Sequence, residues 1–513
     1  MHDFQKPLVA AWTDYAAGRI DAKALKAASA GFGIYQQRDG RTMMRVRRVA
    51  GRVTARDLQS AARILRAHGG THLHLTTRQD FQLHGLPAGQ IPAALAACEA
   101  AGFPFRGGGG DTFRNVRTSA FSGLHGDSVF DVAPYAQALS RAFATFDRAY
   151  ALPRKLKIAF ADRPADRVLA QANDLGFCAA RAGGAPAFEV YLGGGIGFRP
   201  RLGFRLFDAL PATDCVRLAQ TLAVLFDARG CRTNRAHARI RFLREDLGDA
   251  AFAALLKDAF ARTPAAPLAL PPAEPPPTTA FPAHTAPGAG FDAWRALAAT
   301  PLAGGRAAVR LFVPFGNFTA DEIDAFVAAL APFGATRFEI LPTLDLGLVV
   351  PDDQLAGLHA VLASLDRDYA ARSFVGNVRT CVGCTVCTSG VTDAPAVGRA
   401  VATHFDAALR PLDTPEKIAL ARALLNDVRI SGCPNSCTNH PLAAFGFAGR
   451  RLDGADAETA FTPGAADPAR LGAPDPDAPP IPAAAFPDFL ERRLRAALAS
   501  PDGDRAHATP PTA

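Results

Sequence analysis

Hydrophobic and polar positions in the first quarter of the chain predict a strand, a helix and a strand pair. Residues 33–48 read as strand and turn. Residues 71–86 alternate around Leu73 and Leu75 and predict two paired strands. Between them a helix is expected to start at Thr54 and to end at Gly69-Gly70. Its apolar face comprises Leu58, Ala61, Ala62 and Leu65.

The same order of elements returns late in the chain. Residues 309–316 read as strand and turn, and 335–350 as the matching strand pair. Thr319 and Glu322 have the spacing of a capping box, and Gly334 follows the helix that they begin. The apolar face of this second helix comprises Ile323, Phe326, Val327 and Leu330.

Short segments between these regions also recur in order. The tetrapeptide Asn-Val-Arg-Thr occurs at 115–118 and again at 377–380. Two longer stretches resemble later ones, and their positions are 154–177 with 426–447 and 191–203 with 460–472. A match in order over several segments predicts one ancestral unit used twice.

Two regions rich in proline interrupt the pattern. Residues 263–290 are rich in proline and alanine and predict an extended linker between the two copies. The tail after about 473 is also rich in proline, except for a predicted helix over 486–499.

Composition narrows the class of protein. The 513 residues suffice for about three domains, and 49% are apolar and 20% charged, as in globular proteins. No run is long enough to cross a bilayer, and the N-terminus lacks the apolar core of a secretory signal. We therefore expect no membrane association.

The net charge of +8 leaves several interpretations open. A nucleic-acid partner is not expected, because the basic residues are spread and form no lysine-rich tail. The charge suits an acidic protein partner or an anionic cofactor, and an ordinary solvated basic surface explains it equally well.

Five of the nine cysteines lie between positions 381 and 437. Cys381 and Cys387 form C-x5-C, with Cys384 between them, and Cys433 and Cys437 form C-x3-C. Four thiolates in two pairs suit either one tetrahedral zinc ion or one four-iron cluster. This clustering favours a metal site in a reducing compartment over a disulfide framework, so we expect a cytoplasmic protein.

Five motifs resemble those of the sirohaem-dependent sulfite and nitrite reductases, from about residue 30 to 475. They are TTRQDFQLHG (76–85), GDTFRNV (110–116), LPRKLK (152–157), the C-x5-C pair and GCPNSC (432–437). The resemblance implies an α+β fold, internally duplicated with pseudo-twofold symmetry. It contains two ferredoxin-like half-domains and two larger α+β domains that bind sirohaem and a cluster.

The resemblance also implies a division of the chain into six segments. The half-domains are expected at 30–100 and 305–370, and the first sirohaem and substrate domain at 105–262. The cluster and sirohaem domain is expected at 371–475. The remaining segments are the linker at 263–290 and a tail with a short helix at 476–513.

Basic residues in the motifs are implied to surround an oxyanion substrate. These candidate catalytic residues are Arg78, Arg114, Lys155 and Lys157. The two lysines are two positions apart and would share one face of a strand. Arginine suits fixed oxyanion binding, whereas a buried lysine can more readily release a proton.

By the same resemblance, Cys381, Cys387, Cys433 and Cys437 bind a [4Fe–4S] cluster, and Cys437 also reaches the sirohaem iron. Gln79, Asn115 and Asn173 are candidate hydrogen-bond partners of the cofactor. Cys384 is expected to be an inert neighbour. Several relatives have a cysteine where this chain has Gly110, so a side-chain cross-link at that position is excluded.

The glycine-rich stretch at 191–197 could approach the cofactor or substrate through backbone N–H groups. It lacks the spacing of a nucleotide-binding turn. We interpret His72 and His74 as one polar strand face and His440 as part of a loop near the cluster, and His84 likewise as no metal ligand.

The expected reaction is the six-electron reduction of sulfite to sulfide, with nitrite reduction to ammonium as the alternative. Less favoured hypotheses are a corrin-ring oxygenase of cobalamin synthesis and a non-catalytic iron–sulfur electron carrier. No flavin or nicotinamide domain is visible in the sequence. The electrons are therefore expected from an external donor, a ferredoxin or a separate flavoprotein.

Overall fold

The computed structural model of the chain describes residues 6–272, 274–365, 378–464 and 470–499. Its strands form four five-stranded sheets. The strands are β1 (Ile34–Gln36), β2 (Thr42–Val46), β3 (Arg52–Thr54), β4 (His72–Leu75), β5 (Phe81–Leu86), β6 (Arg117–Thr118), β7 (Ile158–Ala161), β8 (Leu175–Ala182), β9 (Ala185–Leu192), β10 (Phe204–Pro211), β11 (Ala299–Leu302), β12 (Arg306–Leu311), β13 (Asn317–Phe318), β14 (Arg337–Ile340), β15 (Leu346–Pro351), β16 (Arg379–Thr380), β17 (Val428–Ser431), β18 (Phe445–Leu452), β19 (Ala455–Ala460) and β20 (Ile481–Pro482).

Helices connect and cover these sheets. They are α1 (Lys6–Ala16), α2 (Ala22–Ser29), α3 (Ala55–Ala67), α4 (Ile91–Ala100), α5 (Ala133–Ala144), α6 (Arg167–Gln171), α7 (Cys215–Arg229), α8 (Ile240–Leu247), α9 (Asp249–Arg262), α10 (Phe291–Ala298), α11 (Ala320–Leu330), α12 (Leu355–Ala363), α13 (Gly383–Val386), α14 (Ala394–Leu409), α15 (Pro415–Asp427) and α16 (Phe486–Ala499).

Two of the sheets exchange an edge strand. Their orders are β1-β2-β5-β4-β13 and β11-β12-β15-β14-β3. Phe318 of β13 lies opposite Leu73 in the first sheet, and Val53 of β3 lies opposite Phe338 in the second. All four side chains are buried in one hydrophobic core. Each copy therefore completes the sheet of the other.

The other two sheets share one topology. Their orders are β6-β7-β8-β9-β10 and β16-β17-β18-β19-β20. The first two pairings in each sheet are parallel and the rest antiparallel. The chain therefore has an α+β fold that is internally duplicated, as predicted.

Local sequence signals agree with the structure. The capping boxes at Thr54 and Thr319 are formed, and the predicted apolar faces of α3 and α11 are buried. The predicted tail helix is α16. Asn377, in the second copy of the repeated tetrapeptide, lies outside the described residues.

Burial of the first strand pair differs from simple alternation. Every residue of β5 is buried, including Gln82 and His84. The sheet is thus covered on both faces, since its polar face lies against the rest of the molecule rather than solvent.

The proline-rich segment contributes to packing. Between 264 and 290 the described residues contain no helix or strand. Phe281 is nevertheless buried and stacks on Phe333 with ring centroids 4.9 Å apart. Within the described ranges, no helix has the length and apolar character needed to cross a membrane.

Candidate active site

Arg78 lies in the turn between β4 and β5. Its Nη2 donates to the backbone oxygen of Asn115 over 2.7 Å, and its Nη1 donates to Oδ1 of Asn173 over 3.3 Å. Burial lowers the pKa of Arg78 to about 10, so the guanidinium stays charged at neutral pH. These contacts fix a cation against the loops of the β6–β10 sheet.

Arg114 lies in the loop before β6. Its Nη2 donates to the backbone oxygen of Gly110 over 2.7 Å. Burial lowers the pKa of Arg114 to about 10, Tyr35 opposes this shift, and the charges of Arg45 and Arg78 add to it. The three arginines are therefore close enough to repel one another.

Lys155 and Lys157 lie on either side of Leu156, which is buried and pairs with Phe113 in an isolated bridge. The two lysines therefore point away from that buried side chain. Burial lowers the pKa of Lys155 to about 7 and that of Lys157 well below its usual value, and neighbouring cations lower both further. Both lysines precede β7, which begins at Ile158, rather than lying within a strand.

The structure brings the four predicted ligand cysteines together. The thiol of Cys437 interacts electrostatically with those of Cys381, Cys387 and Cys433. Burial raises the pKa of Cys381 to about 12, and the backbone N of Gly432 donates to its Sγ over 3.1 Å. A bound cation would offset this burial and stabilise the thiolates.

Cys384 lies in the short helix α13, between the first two of these cysteines. Its backbone N donates to the oxygen of Thr392 over 2.9 Å. A Cβ on Gly390 would come within 2.6 Å of the Cys384 Cα, so the loop closes tightly there. That Cys384 is not a metal ligand stays a prediction.

Cys437 lies where the two copies meet. Thr77 Oγ1, from the turn that carries Arg78, donates to the Cys437 backbone oxygen over 2.7 Å. Burial raises the pKa of the Cys437 thiol, and Lys155, Lys157 and Arg45 oppose that shift. Cys437 is nonetheless solvent-exposed. A thiol that is both exposed and surrounded by protein atoms lies on the wall of a concave site.

Arg45 is a basic residue of the site that the sequence analysis did not identify. Its Nη1 donates to Gly108 O over 2.8 Å. With the Gln82 amide oriented so that its oxygen faces Arg45, Arg45 Nη2 donates to it over 2.8 Å, and the amide nitrogen donates to His84 Nε2 over 2.8 Å. The sequence signal for Arg45 was its position between the apolar residues Met44 and Val46 of β2, which places its side chain on the opposite face of the strand. We call Arg45, Arg78, Arg114, Lys155 and Lys157 the basic cluster.

A buried ion pair supports the basic cluster and was also missed. Both carboxylate oxygens of Asp174 accept from Arg239 Nη2, at 2.8 and 2.9 Å. Asp174 Oδ2 also accepts from the backbone N of Lys157 over 2.8 Å. The Asp174 carboxylate thereby fixes the segment that carries Lys157. The only sequence signal for a role of Asp174 in the site was its position directly after Asn173.

The three candidate amides already have protein partners. Asn173 Nδ2 donates to Leu169 O over 2.6 Å, in addition to its contact with Arg78. Gln79 Oε1 accepts from the backbone N of Thr118 over 2.9 Å. Gln79 Nε2 and Asn115 Oδ1 are buried without a partner in the described residues. Asn173 thus holds Arg78, whereas Gln79 and Asn115 keep capacity for a ligand.

The glycine-rich stretch lies beside buried cations. A Cβ on Gly195 would come within 2.8 Å of Arg241 Nη1, and one on Gly197 within 3.7 Å of Asn435 O in the cysteine motif. A side chain at position 195 would therefore displace the Arg241 guanidinium, whereas position 197 lies at ordinary contact distance from the second copy.

The four histidines have protein contacts. The rings of His72 and His84 stack at 4.8 Å, and His74 Nδ1 lies 2.7 Å from Asn317 Oδ1. Burial lowers the pKa of His74 to about 4 and that of His440 to about 3. Both are therefore neutral at physiological pH.

The residues present fit a cluster and an anionic macrocycle. Among the described residues, no three His, Cys, Asp or Glu side chains are gathered closely enough for a single ion, whereas an iron–sulfur cluster is a larger body. Several buried arginines leave N–H groups without an acceptor in the same ranges, as a polycarboxylate ligand requires. These groups include Arg78 Nε, Arg114 Nε and Nη1, Arg117 Nε, and Arg241 Nε and Nη1.

Comparisons with known proteins show which enzymes the chain resembles. A family model described as "Nitrite/Sulfite reductase ferredoxin-like half domain" matches residues 35–101. A second, "Nitrite and sulphite reductase 4Fe-4S domain", matches 109–263. The second match falls on the copy that contributes Arg114 and the two lysines, not on the copy with the cysteine motifs.

Relatives match both copies. The chain is 26% identical over 434 residues to "Ferredoxin--nitrite reductase" of Synechococcus elongatus, covering 80% of this chain and 77% of that protein. It is 24% identical over 416 residues to "Sulfite reductase [ferredoxin] 1" of Mycolicibacterium paratuberculosis, covering 81% and 71%. The solved "Structure of Mycobacterium tuberculosis NirA protein" shares the fold, with a TM-score of 0.77, 23% identity and coverage of 96% and 92%.

The matched domains and the similar enzymes indicate an oxidoreductase with an iron–sulfur cluster. Within that class, the chain is similar to nitrite and sulfite reductases along about four fifths of its length.

Proposed function

We propose that the protein reduces sulfite to sulfide by six electrons, at a sirohaem coupled to a [4Fe–4S] cluster. The observation that carries this proposal is the convergence of the basic cluster of the first copy on Cys437 of the second. Cationic side chains suit an oxyanion, and the cysteines suit an electron store.

The residues of the chain would divide the work as follows. Cys381, Cys387, Cys433 and Cys437 would hold the cluster, and Cys437 would also contact the sirohaem, which supplies the iron that takes the substrate. Gln79 Nε2 and Asn115 Oδ1, which have no hydrogen-bond partner in the described residues, would bind the cofactor.

The basic cluster would bind and protonate the substrate. Arg45, Arg78 and Arg114 are held by protein contacts and would bind substrate oxygens without reorganising. Lys155, whose pKa is about 7, can donate a proton near neutral pH and be reprotonated there. Lys157 would share this environment.

Nitrite reduction to ammonium is the second candidate, because one of the similar proteins is named as a nitrite reductase. The test is to purify the chain from a sirohaem-producing host and compare kcat/KM for both anions with reduced viologen dye. Sulfide without appreciable ammonium supports the proposal, and the reverse result overturns the choice of substrate.

Arg114→Gln should lower kcat/KM by about 10²-fold or more, whereas the exposed control Arg148→Gln should leave it unchanged.

The visible spectrum separates the proposal from its rivals. Sirohaem bands together with cluster iron are expected. A cluster without sirohaem would instead indicate the corrin-ring oxygenase or the electron carrier.

We also propose an external electron donor of the ferredoxin or flavoprotein type. Two of the similar proteins have ferredoxin in their names, and the net charge of +8 suits an acidic donor. Turnover with such a donor should fall as salt rises, while turnover with a small viologen dye should change little. If the reaction with the donor is insensitive to ionic strength, the proposed electrostatic attraction between the protein and its donor is wrong.

A cytoplasmic location is proposed because none of the nine cysteines, all of which lie in the described residues, is joined to another in a disulfide. Cell fractionation tests it. The six sequence segments remain the proposed domain division, and limited proteolysis within 263–290 is the measurement that checks it.

A further inference from the structure

Three arginines of the two sheets β6–β10 and β16–β20 interact electrostatically, and two of them, Arg117 and Arg379, are buried while Arg429 is half-buried. Arg117 lies on β6, Arg379 on β16 and Arg429 on β17. Arg379 and Arg429 are register partners on adjacent parallel strands, so their side chains leave the sheet on the same face. The exposed fraction is 6% for Arg117 and 3% for Arg379.

Arg117 and Arg379 are the same position of the duplicated unit, the arginine of the repeated Asn-Val-Arg-Thr. The strand partner of Arg117 is Ala159, whereas that of Arg379 is Arg429. The charge of Arg429 acts on both, and that of Arg117 acts on Arg379. The two copies thus bring three like charges together.

The hydrogen-bonding capacity of these guanidinium groups is incompletely used. In the described part of the chain, Nε of each of the three arginines makes no hydrogen bond. Two neighbouring carboxylates are already engaged: Asp166 accepts from Arg163 over 2.9 Å, and Asp345 is paired with Arg310. Asp80 and Asp427 compensate the charges of Arg117 and Arg429 only in part, because burial still lowers the pKa of both arginines. Arg429 Nη1 has one weak acceptor, the Asn439 oxygen at 3.3 Å.

Such an arrangement is unfavourable without a ligand. Like charges on neighbouring strands destabilise a sheet, and a buried charge needs a partner. Carboxylates match guanidinium groups in charge and geometry. Arg117 also lies within electrostatic range of Arg78 of the basic cluster, so an anion held here would adjoin the cofactor space.

We propose that Arg117, Arg379 and Arg429 form an anion cradle that binds peripheral carboxylates of the sirohaem. This inference rests on the proposed function. The cradle is distinct from the basic cluster, which faces the substrate, and it joins both copies to the same macrocycle.

The test uses the full chain with Arg117→Met or Arg379→Met, and exposed Arg450→Met as the matched control. From a sirohaem-producing host, each cradle variant should retain less than about one third of the wild-type sirohaem per chain, with cluster iron unchanged in Arg117→Met. From a host that makes no sirohaem, the same variants should melt about 2–5 °C above wild type, because an uncompensated buried charge is removed. Arg450→Met should change neither quantity.

In the cradle variants, sirohaem content should fall while the melting temperature of the cofactor-free protein rises. Loss of an arginine with only a structural role would not produce these opposite changes. Unchanged sirohaem content overturns the cradle, and so does a cofactor-free variant that melts lower or fails to fold. Inorganic phosphate is the competing ligand. If it raises the melting temperature of cofactor-free wild type but not of the variants, while sirohaem content stays unchanged, the cradle binds a free oxyanion and the cofactor assignment fails. Wild type without sirohaem would instead defeat the proposed function itself.

Discussion

At the scale of single residues, the site is a set of charges buried in advance of their ligand. Arg78 and Arg114 are fixed by backbone oxygens rather than by carboxylates. Their charge is therefore not neutralised within the protein and remains available to an anion. The lowered pKa of Lys155 has the same origin, because burial and neighbouring cations both disfavour its charged form.

Substitution of two nearby cysteines should have unequal effects. Cys437→Ser should abolish the coupled haem and cluster signals, because this thiol lies at the wall shared by both copies. Cys384→Ser should retain both, since the remaining thiols still form two pairs. Iron content and electron paramagnetic resonance of the two variants check this. Loss of the cluster in Cys384→Ser would rule out the four-ligand set.

Glu458 predicts a pH dependence of stability that is separate from the site. This residue of β19 is fully buried, and burial raises its pKa to about 8, with Asp456 adding to the shift. The folded state therefore binds more protons than the unfolded state between about pH 4.5 and 8. The contribution of protonated Glu458 to the free energy of unfolding is fully present below about pH 4.5 and is lost as pH rises through about 8.

Glu458→Gln should remove that loss. The variant should melt about 3–6 °C above wild type at pH 8 and close to it at pH 5. Thermal unfolding followed by circular dichroism at both pH values is the measurement, with exposed Asp258→Asn as the control. Parallel shifts at both pH values would contradict the assigned pKa.

At the scale of elements, equivalent helices in the two copies begin with the same device. The Thr54 and Asp57 side chains cap each other's backbone N–H groups, as do those of Thr319 and Glu322. Arg48 pairs with Asp57 at 2.5 Å in the first copy, whereas the second box is exposed. The first box is thus tied into the fold more firmly.

Removal of either cap should destabilise the chain. Thr54→Ala and Thr319→Ala should each cost about 1 kcal/mol, with the larger effect at Thr54. Denaturant unfolding measures the difference, and the serine variants at both positions should stay near wild type because serine caps equally well. A larger cost at Thr319 would show that the ion pair of Arg48 adds nothing.

Local elements could be predicted from the sequence, whereas non-local contacts could not. The helix starting at Thr54 follows from spacing within one turn, and the repeated motifs predicted the duplication. The exchange of β3 and β13 leaves no local signal, since each strand has only two or three residues and pairs with the other copy. Arg117 was missed for a similar reason, because an isolated arginine reads as a surface residue until the fold buries it.

At the scale of the whole molecule, the duplication has separated two kinds of chemistry. The first copy supplies Arg114 and the two lysines, and the second supplies the four cysteines. The counterpart of Arg114 in the second copy is Gly376, which lies outside the described residues. Thr77 and Cys437 join the two sides directly. On the proposed assignment neither copy holds a complete site, so we expect activity to depend on how firmly the copies are held together.

Because β3 and β13 each belong to the sheet of the other copy, we expect the two copies to separate only when the chain unfolds. Glu274 of the linker pairs with Arg52 at 3.1 Å and with Arg337 at 3.5 Å, which fastens the linker across β3 and β14. A protease site placed at the exposed Gly288 would cut the chain beyond this contact. The cleaved halves should then co-elute in gel filtration and keep their viologen-driven activity.

Either half produced alone should aggregate, because loss of β13 or β3 leaves the edge of β4 or β14 open. Co-expression of both halves should restore a soluble, sirohaem-containing pair. Val53→Asp is the matched control, since it places a charge in the exchanged strand and should release the halves after cleavage. Halves that separate in native buffer and remain folded would show that the exchange of strands is not what holds the two chemistries together.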